Sequence, residues 1–281
     1  MRETVKIKVN EPQYSVVTGT TFAQADAWFG HTRKDLKMDI IYPEDPERLY
    51  PCIVWICGGA WITMDRSAHL VYLAELARSE FVVASVDYRT SNEAVFPAQL
   101  MDIKSSIRYL RAHSERFRID PERIGVMGES AGGHLTAMAA LVNDPAYDTG
   151  DYTEYSSRVQ AACPWYPPTD VSGFPYESPV DAAASPESLM IGKNVMLHKE
   201  EALKACPVTY VSKDAPPFMI LHGTDDHTVP FMQGEILHDR LEEAGCDVKL
   251  IAIEGADHAD KQFFQRETWK RIAEFFHEKL G

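Results

Sequence analysis

The feature that most restricts the fold is a regular alternation of short apolar runs and helical patterns that begins at residue 52. Apolar runs that fit strands lie at 52–56, 81–86, 123–128, 158–163, 217–222 and 247–253. Amphipathic patterns that fit helices lie at 68–79, 99–110, 131–142, 231–244 and 265–279. Strands that are apolar throughout and alternate with helices predict an α/β fold, in which a mostly parallel sheet is covered by helices on both faces.

Two further segments complete this outline. Residues 36–42 alternate between apolar and polar side chains, which predicts an antiparallel edge strand. Residues 164–215 are rich in proline, serine and acidic residues and show only short helical patterns. Long irregular stretches inside compact domains are usually functional, and in an open α/β sheet they lie over the carboxyl ends of the strands. We therefore expect a single domain over residues 1–281, with 164–215 as a cap-like insertion over the carboxyl ends of the strands.

Charge and composition narrow the class of partner. The chain has 28 Lys and Arg residues against 42 Asp and Glu residues, a formal charge of −14, and these charges are dispersed. Such a surface repels phosphate backbones and anionic lipids, so we expect neither nucleic acid nor membrane partners. The segment MRETVKIKVN has no apolar core of a secretory signal, and the five cysteines form no C-x-x-C pair. These features favour a cytoplasmic protein without a disulfide framework or a zinc site.

The motif Gly128-Glu129-Ser130-Ala131-Gly132 follows a predicted strand and opens a predicted helix. A G-x-S-x-G motif alone is weak evidence, but this strand–turn–helix context is the one in which a serine becomes an exposed nucleophile. The helix that starts beyond the serine offers unpaired N–H groups to an anion. The alternative is a glycine-lined helix start with an exposed capping serine, and the context makes this the weaker interpretation.

A serine hydroxyl needs a base, and the base needs a carboxylate to orient it. His258 follows the predicted strand 247–253, and Asp225 and Asp226 follow the predicted strand 217–222. The chain order Ser…Asp…His, with each residue after a strand, is that of the α/β-hydrolases. A metal cluster is an alternative, with candidate ligands at His222, Asp226, His227, Asp257, His258 and Asp260. No helical H-x-x-x-H spacing supports it, and we interpret His222 as a structural, hydrogen-bonded histidine.

The segment Cys57-Gly58-Gly59 directly follows the apolar strand 52–56. A tetrahedral intermediate needs two or three N–H donors around its oxyanion, and side chains at the donor positions would obstruct it. Gly58 and Gly59 therefore predict an oxyanion loop, with the N–H of Ala131 as the third donor.

Together these segments resemble the α/β-hydrolase esterases with an HGGGW-type oxyanion loop, and within them the carbohydrate esterases and bacterial feruloyl esterases near the hormone-sensitive-lipase group. The resemblance extends over most of the chain, through CGGAW (57–61), VDYR (86–89), RIDPERIGVMGESAGGHL (118–135), CPVTYVSKDAPPFMILHGTDDHTVP (206–230) and GADH (255–258). The family pattern HG-x-x-D-x-x-VP selects Asp226 over Asp225. Cys57 and Ala60 depart from the pattern, where histidine and a third glycine are usual.

The resemblance implies an α/β-hydrolase serine esterase that needs no cofactor and no metal. Its catalytic residues would be Ser130, Asp226 and His258, and its substrates would be acetyl or feruloyl esters of plant-carbohydrate fragments. Aromatic residues expected near the strand ends, Trp61, Trp165 and Tyr166, would either bind this substrate or pack beneath the insertion. Glu129 is a further candidate for substrate binding. A serine peptidase and a non-catalytic binding protein on the same fold are alternatives, and a homodimer is possible.

Overall fold

The computed structural model describes all 281 residues and contains one eight-stranded sheet. Its strands are β1 (Tyr14–Ala27), β2 (Thr32–Pro43), β3 (Tyr50–Ile56), β4 (Val82–Val86), β5 (Ile119–Glu129), β6 (Ala161–Trp165), β7 (Phe218–Gly223) and β8 (Val248–Ile253). Its helices are α1 (Leu70–Ala77), α2 (Ala98–Ala112), α3 (Ala131–Leu141), α4 (Pro179–Ala182), α5 (Pro186–Ile191), α6 (Lys199–Lys204), α7 (Met232–Glu243) and α8 (Arg266–Leu280). The predicted α/β-hydrolase fold is confirmed.

The strand order is β1-β2-β4-β3-β5-β6-β7-β8. β1 and β2 form an antiparallel pair, β2 is antiparallel to β4, and every pair from β4 to β8 is parallel. The carboxyl ends of β3, β5, β6, β7 and β8 therefore lie at one edge of the sheet, where an open α/β sheet binds its ligands.

Alternate residues of each strand support two hydrophobic cores, one on each face of the sheet. Val54 and Ile56 of β3 pack in the core covered by α2, α3 and α7, whereas Ile53 and Trp55 pack in the core covered by α1 and α8. The predicted apolar face of α2 is fully buried, at Leu100, Ile103, Ile107 and Leu110. Burial on both faces explains why these strands are apolar throughout.

Two strand predictions are corrected. The segment 36–42 belongs to an antiparallel strand, but β2 is interior, because the unpredicted β1 lies outside it as the edge of the sheet. The predicted strand 158–163 begins and ends too early, since β6 spans Ala161–Trp165. Pro164 cannot donate to the ladder, yet it lies within this strand and pairs with Gly128 of β5. Trp165 also pairs with Glu129 of β5 and Leu221 of β7.

The irregular interval is the chain between β6 and β7, and it contains the short helices α4, α5 and α6. It starts later than the predicted residue 164, because Trp165 ends β6 and the Tyr166 N–H still donates to the Leu221 carbonyl of β7 at 2.6 Å. Two helices of this interval begin at serines whose hydroxyls cap them, Ser178 and Ser185, each followed by proline.

Candidate active site

Ser130 lies in the sharp turn between β5 and α3. Its backbone has φ 54° and ψ −120°, a conformation that L residues rarely adopt. The N–H of Ser130 donates to the Trp165 carbonyl of β6 at 3.0 Å, and its own carbonyl accepts from the His134 N–H at 2.8 Å. These contacts hold the side chain at the carboxyl edge of the sheet, where it is partly accessible.

Glycines around Ser130 allow this turn to form. A Cβ at Gly128 or at Gly132 would overlap the Ile56 carbonyl oxygen of β3, and a Cβ at Gly133 would overlap the Trp165 carbonyl oxygen of β6. In each case the neighbouring atom belongs to the backbone, which cannot move aside as a flexible side chain could. The small residues of the motif are therefore a packing requirement of the turn, as the sequence predicts.

Ser130, His258 and Asp226 form a continuous hydrogen-bonded chain. His258 Nε2 lies 2.9 Å from Ser130 Oγ, and His258 Nδ1 lies 2.8 Å from Asp226 Oδ2. His258 comes from the loop after β8, and Asp226 from the loop after β7. The structure thus brings together three residues that are far apart in the sequence, in the arrangement that a nucleophile, base and orienting carboxylate require.

Asp226 is held as an ionised acceptor. Burial alone would raise its pKa, but hydrogen bonds from His222 and His258 and from the Val229 N–H outweigh burial and hold the pKa well below its usual range. Oδ1 accepts from the N–H groups of Thr228 and Val229, at 2.9 and 2.7 Å. Because Asp226 accepts, His258 Nδ1 carries the proton, and Nε2 is free to accept from the Ser130 hydroxyl.

The neighbours of Asp226 have separate roles. Asp225 is exposed, and its carboxylate accepts from its own neighbour Thr224 rather than from His258. His222 is fully buried and its Nε2 lies 2.9 Å from the Val229 carbonyl and 3.4 Å from Asp226 Oδ2. The selection of Asp226 agrees with this geometry, and so does the interpretation of His222 as structural.

The loop after β3 presents N–H groups to Ser130, but not the full set that the sequence suggested. The N–H groups of Gly59, Ala60 and Ala131 have no hydrogen-bond partner within the protein, and Ala60 and Ala131 line one cavity with Ser130. Gly58 is buried, and its N–H points to Glu129 Oε1 at 3.5 Å. The predicted donor Gly58 is thus turned towards Glu129, and Ala60 is the residue of this loop that lines the cavity with an N–H that has no partner.

Side chains brace this loop from behind. Glu129 Oε1 lies 2.8 Å from His69 Nε2 and 3.7 Å from Cys57 Sγ, and Glu129 Oε2 accepts from the Tyr166 hydroxyl at 2.7 Å. Burial alone would raise the pKa of Glu129, but the hydrogen bond and charge of His69, with the bonds from Tyr166 and Gly58, lower it. An ionised carboxylate thus lies beneath the loop.

Cys57 is part of this brace. Its thiol is buried, and burial together with the charge of Glu129 raises its pKa to about 12, which keeps it protonated. Its carbonyl accepts from the Tyr88 hydroxyl at 3.0 Å. Cys57 therefore acts as a small buried donor where the family pattern has histidine, and its pKa does not suit a nucleophile.

A cavity of about 330 Å³ lies over Ser130. The protein's own insertion forms one wall, through Pro168, Phe174, Pro175, Tyr176, Pro186 and Glu187. The remaining lining residues are Ala60, Trp61, Ser130, Ala131, His227, Thr228, Val229 and Pro230. The insertion therefore shapes the space beside the reactive hydroxyl.

Of the four candidates for substrate binding, only Trp61 lines this cavity. Its indole N–H donates to His134 Nδ1 at 3.2 Å, and burial lowers the pKa of His134 to about 4, so that it stays a neutral acceptor. Trp165 is fully buried and packs against Trp55 and Trp269 in the α1–α8 core. Of the two interpretations given for Trp165, this burial at the end of β6 favours packing over contact with substrate.

Tyr166 and Glu129 also support the site from outside the cavity. The Tyr166 ring lies 4.6 Å from the His258 ring, and its hydroxyl reaches Glu129. Both are buried, so the expected contact with substrate is corrected to contact with the catalytic candidates. Sequence reasoning missed His69, Tyr176 and Glu187. The capped helix start Ser-Pro-Glu at 185–187 is the one local signal for the last of these.

A family model matches residues 38–241, which run from within β2 into α7 and include the Ser130 turn. The chain belongs to the BD-FAE family. This confirms the resemblance to α/β-hydrolase esterases. Over 196 residues the chain is 34% identical to the probable carboxylic ester hydrolase LipM of Mycobacterium tuberculosis, an alignment that covers 69% of this chain and 45% of LipM. The chain spans about half the length of the curated relatives that it matches.

Solved structures agree with this assignment. A truncated carbohydrate esterase from gut microbiota superposes with a TM-score of 0.83 and 30% identity, covering 96% of this BD-FAE member and 99% of the other chain. A bifunctional GH43-CE protein of Bacteroides eggerthii superposes with a TM-score of 0.84 and 29% identity, covering 95% of this chain and 35% of the other. No helix of the protein is both long enough and apolar enough to cross a bilayer.

Proposed function

We propose that the protein is a serine carboxylic ester hydrolase that removes acyl groups from carbohydrate esters through an acyl-enzyme intermediate. One observation carries this proposal: Ser130, hydrogen-bonded to His258 and through it to Asp226, lines a cavity together with Ala60 and Ala131, whose N–H groups, like that of Gly59, have no partner within the protein. Nucleophile, base and oxyanion donors thus surround one position for a reacting carbonyl.

Acylation follows from the hydrogen-bond directions. Ser130 Oγ attacks the ester carbonyl carbon while its proton passes to His258 Nε2, 2.9 Å away. The carbonyl oxygen becomes an oxyanion that accepts from the N–H groups of Gly59, Ala60 and Ala131; each such donor contributes about 3–4 kcal/mol to catalysis. Asp226, ionised, stabilises the imidazolium that forms.

The intermediate collapses by breaking the bond between the carbonyl carbon and the alcohol oxygen. His258 Nε2–H protonates that oxygen, and the alcohol leaves Ser130 acylated. A water molecule then gives a proton to His258 Nε2 and attacks the acyl carbon. The bond between that carbon and Ser130 Oγ breaks, His258 returns the proton to Oγ, and the acid is released. The cycle uses only these side chains and water, and Tyr166, packed 4.6 Å from the His258 ring, limits the tilt of the imidazole.

The cavity supports a small acyl group. Its volume of about 330 Å³ lies at the lower end of the range for ligand pockets. Phe174 and Tyr176 give it aromatic walls, and the buried Glu187 accepts from the Tyr176 hydroxyl. Acetyl and feruloyl esters are the two substrate classes that we propose, and the volume favours acetyl. The carbohydrate portion is supported by the similarity to the gut-microbiota carbohydrate esterase.

The alternatives from the sequence gain no support. A non-catalytic binding protein does not require the hydrogen-bonded chain in which His258 connects Ser130 to Asp226. A peptidase is not favoured by any contact of the cavity, and the relative LipM is named a carboxylic ester hydrolase. The cytoplasmic location and the homodimer stay predictions.

The test is hydrolysis of p-nitrophenyl acetate and methyl ferulate by the wild type and by Ser130→Ala. We expect the wild type to cleave both esters, the acetate faster, and the variant to lose about 10³-fold or more of the rate. Circular dichroism of both proteins controls for folding. A folded wild type that cleaves neither ester, or a Ser130→Ala variant that keeps the wild-type rate, would overturn the proposal.

A further inference from the structure

A second cavity, of about 840 Å³, lies beside the active site, between the β1–β2 turn, the loop after β4 and helix α5. We call it the hairpin groove, and its defining residues are Trp28, Phe29, Asn92, Val95, Leu189 and Asn194. Neither the proposed reaction nor the BD-FAE resemblance assigns it a role.

The turn that carries Trp28 and Phe29 is unusual in its sequence. Trp28 has φ 51°, Phe29 has φ 54°, and Gly30 has φ 86°, all in the left-handed region. Left-handed positions in turns favour glycine and asparagine, because bulky side chains are disfavoured there. Two large aromatics therefore occupy positions that stability would give to small residues, and such outliers concentrate at functional sites.

The two aromatic rings are also held out into solvent. Trp28 is 57% exposed and Phe29 68% exposed, whereas the other four tryptophans of the protein are buried. The turn is anchored rather than loose, since the Phe29 N–H donates to the Glu93 carbonyl at 3.1 Å. Exposed aromatics that are fixed beside a groove mark an interaction site.

The groove adjoins the catalytic cavity through shared walls. Trp61 lines the catalytic cavity, and its carbonyl accepts from the N–H and hydroxyl of Ser91, at 2.7 and 3.2 Å; Ser91 lines the hairpin groove. Helix α5 continues from Glu187 in the catalytic cavity to Ser188 and Leu189 in the groove. The two cavities are therefore neighbours separated by Trp61, Ser91 and the start of α5, and a chain-like ligand at Ser130 would reach the groove by crossing this rim.

The chemistry of the groove fits a neutral, polyhydroxylated ligand. Its two charged residues are already paired within the protein, Glu93 with Lys34 at 2.8 Å and Lys193 with Glu201. The Asn194 amide is already bonded to the Pro179 carbonyl and the Met196 N–H. The exposed Asn92 donates to the Ile62 carbonyl at 3.3 Å, and its amide oxygen stays available to accept from a hydroxyl group. Flat aromatic faces provide apolar surface for the C–H face of a sugar ring.

We propose that the hairpin groove binds the sugar residues of an oligosaccharide ester, beyond the residue whose acyl group lies at Ser130. This inference rests on the proposed function for the ester at Ser130, but not for the binding of sugar itself. Trp28 and Phe29 form the platform on which the sugar rings stack.

The structure suggests an unusually clean variant, Trp28→Asn with Phe29→Gly. It removes both rings and replaces them with the residues that the turn prefers, so we expect the melting temperature to stay level or rise. Val71→Gln is the matched control, because Val71 is 66% exposed on helix α1 and lies in neither cavity.

Two measurements test the proposal. First, kcat/KM is measured for p-nitrophenyl acetate and for acetylated xylo-oligosaccharides. The kcat/KM of the double variant on the oligosaccharide should fall by about 10-fold or more, mainly through KM, which corresponds to a loss of roughly 1.4 kcal/mol of binding. Its kcat/KM on the small ester should stay within about twofold of the wild-type value. Second, unesterified xylo-oligosaccharides are titrated into Ser130→Ala protein by calorimetry and by fluorescence, in which Trp28 is the one exposed indole.

The outcomes separate the groove from the reaction. If the protein binds oligosaccharides through Trp28 and Phe29 but cleaves no ester, the proposal of a sugar-binding groove is supported and the proposed esterase activity is overturned. If the wild type cleaves p-nitrophenyl acetate but binds no oligosaccharide, or if the double variant loses equal kcat/KM on both esters, the proposed role of the groove is overturned. The proposed esterase activity is then unaffected. A sedimentation experiment in which the double variant converts a wild-type dimer to a monomer would also overturn the proposed role of the groove, because the rings would then form a subunit interface.

Discussion

The two turns that meet at Ser130 are held in place by different means. The turn between β5 and α3 is fixed by backbone packing, because Gly128, Gly132 and Gly133 each lie against a main-chain carbonyl. The loop after β3 has such a backbone contact at Gly59, which lies against the Thr63 carbonyl, and side chains add to it through the contacts of Glu129 with His69 and Cys57. The first turn therefore excludes a side chain at three glycines, whereas in the loop after β3 the tightest backbone contact is at Gly59 and other positions depend on side-chain contacts.

The distribution of unusual residues follows this difference. Cys57 and Ala60, which depart from the HGGGW-type pattern, both lie in the loop that side chains brace, whereas the G-x-S-x-G turn keeps all its small residues. A side-chain brace can be rebuilt from other groups, as long as a donor reaches the buried carboxylate. A backbone contact cannot be rebuilt, since a carbonyl oxygen has no alternative position.

Among these variants, Asp226→Asn should cause the largest loss of activity, because it disrupts the proton transfer between Ser130 and His258 that both turns support. Loss of the ionised acceptor allows the wrong tautomer of His258, and we expect kcat to fall by about 10³–10⁴-fold with the fold intact. The measurement is steady-state hydrolysis of p-nitrophenyl acetate. Asp225→Asn is the matched control, since Asp225 is exposed and does not contact His258, and an equal loss in both variants would contradict the assignment.

Gly132→Ala tests the backbone-packed turn. The added Cβ overlaps the Ile56 carbonyl oxygen, so we expect the free energy of unfolding to fall by about 3 kcal/mol or more, as overpacking of a rigid site does. Urea denaturation measures this change. Gly150→Ala is the control for adding a methyl group in open space, and its cost should be about 1 kcal/mol, from its left-handed backbone alone. An equal loss of unfolding free energy in the two variants would mean that the turn can accommodate the added methyl group.

Glu129→Gln tests the side-chain brace. Loss of charged hydrogen bonds should lower the free energy of unfolding by about 2 kcal/mol at neutral pH and reduce kcat by loosening the oxyanion loop. The folded-state pKa of Glu129 is lowered, so its contribution is present above the ordinary glutamate value of about 4.3 and is lost as pH falls through the folded pKa. The stability gap between wild type and variant should therefore narrow in acid.

A matched control exists for this carboxylate. Asp102 is buried and pairs with Arg89 at 2.7 Å, outside the lining of the catalytic cavity. Asp102→Asn should destabilise the protein and leave kcat unchanged. If both variants lower kcat equally at a temperature where both are folded, the effect is general and the brace has no special link to catalysis.

Ala60→Gly gives the smallest effect. Ala60 has φ 55°, a left-handed conformation that costs an alanine about 1–2 kcal/mol relative to its preferred region. We expect the glycine variant to gain about 1 kcal/mol of stability, measured by thermal unfolding. Ala74→Gly, within helix α1, should instead lose about 1 kcal/mol, and a loss in both variants would show that the loop is unstrained.

The same contrast explains what the sequence predicts. The parallel strands, the helices and the Ser130 turn are visible because burial on both faces and backbone packing leave local signals. The brace is not visible, since His69, Tyr166 and Glu129 come together only through the sheet order. The predicted strand 158–163 shows a different failure, because pairing with β5 and β7 extends the observed strand through Pro164 to Trp165.

Gly58 illustrates a finer limit. Two adjacent glycines after a strand predict an oxyanion loop, but which N–H groups face the cavity depends on where Glu129 lies. The structure turns Gly58 towards Glu129 and presents Ala60 instead. Likewise, no pattern in the sequence indicates that Tyr176 and Glu187 fold back over Ser130, because the insertion between β6 and β7 has no periodic signal.

The central claim is that Ser130 is a nucleophile activated by His258. The most direct measurement is covalent labelling with a fluorophosphonate, followed by mass spectrometry of the intact protein and its peptides, for the wild type, Ser130→Ala and His258→Ala. The account predicts one label per chain on Ser130 in the wild type, none in Ser130→Ala, and labelling slowed by at least about 10²-fold in His258→Ala. A wild type that stays unlabelled, or that carries its label on another residue, would contradict it.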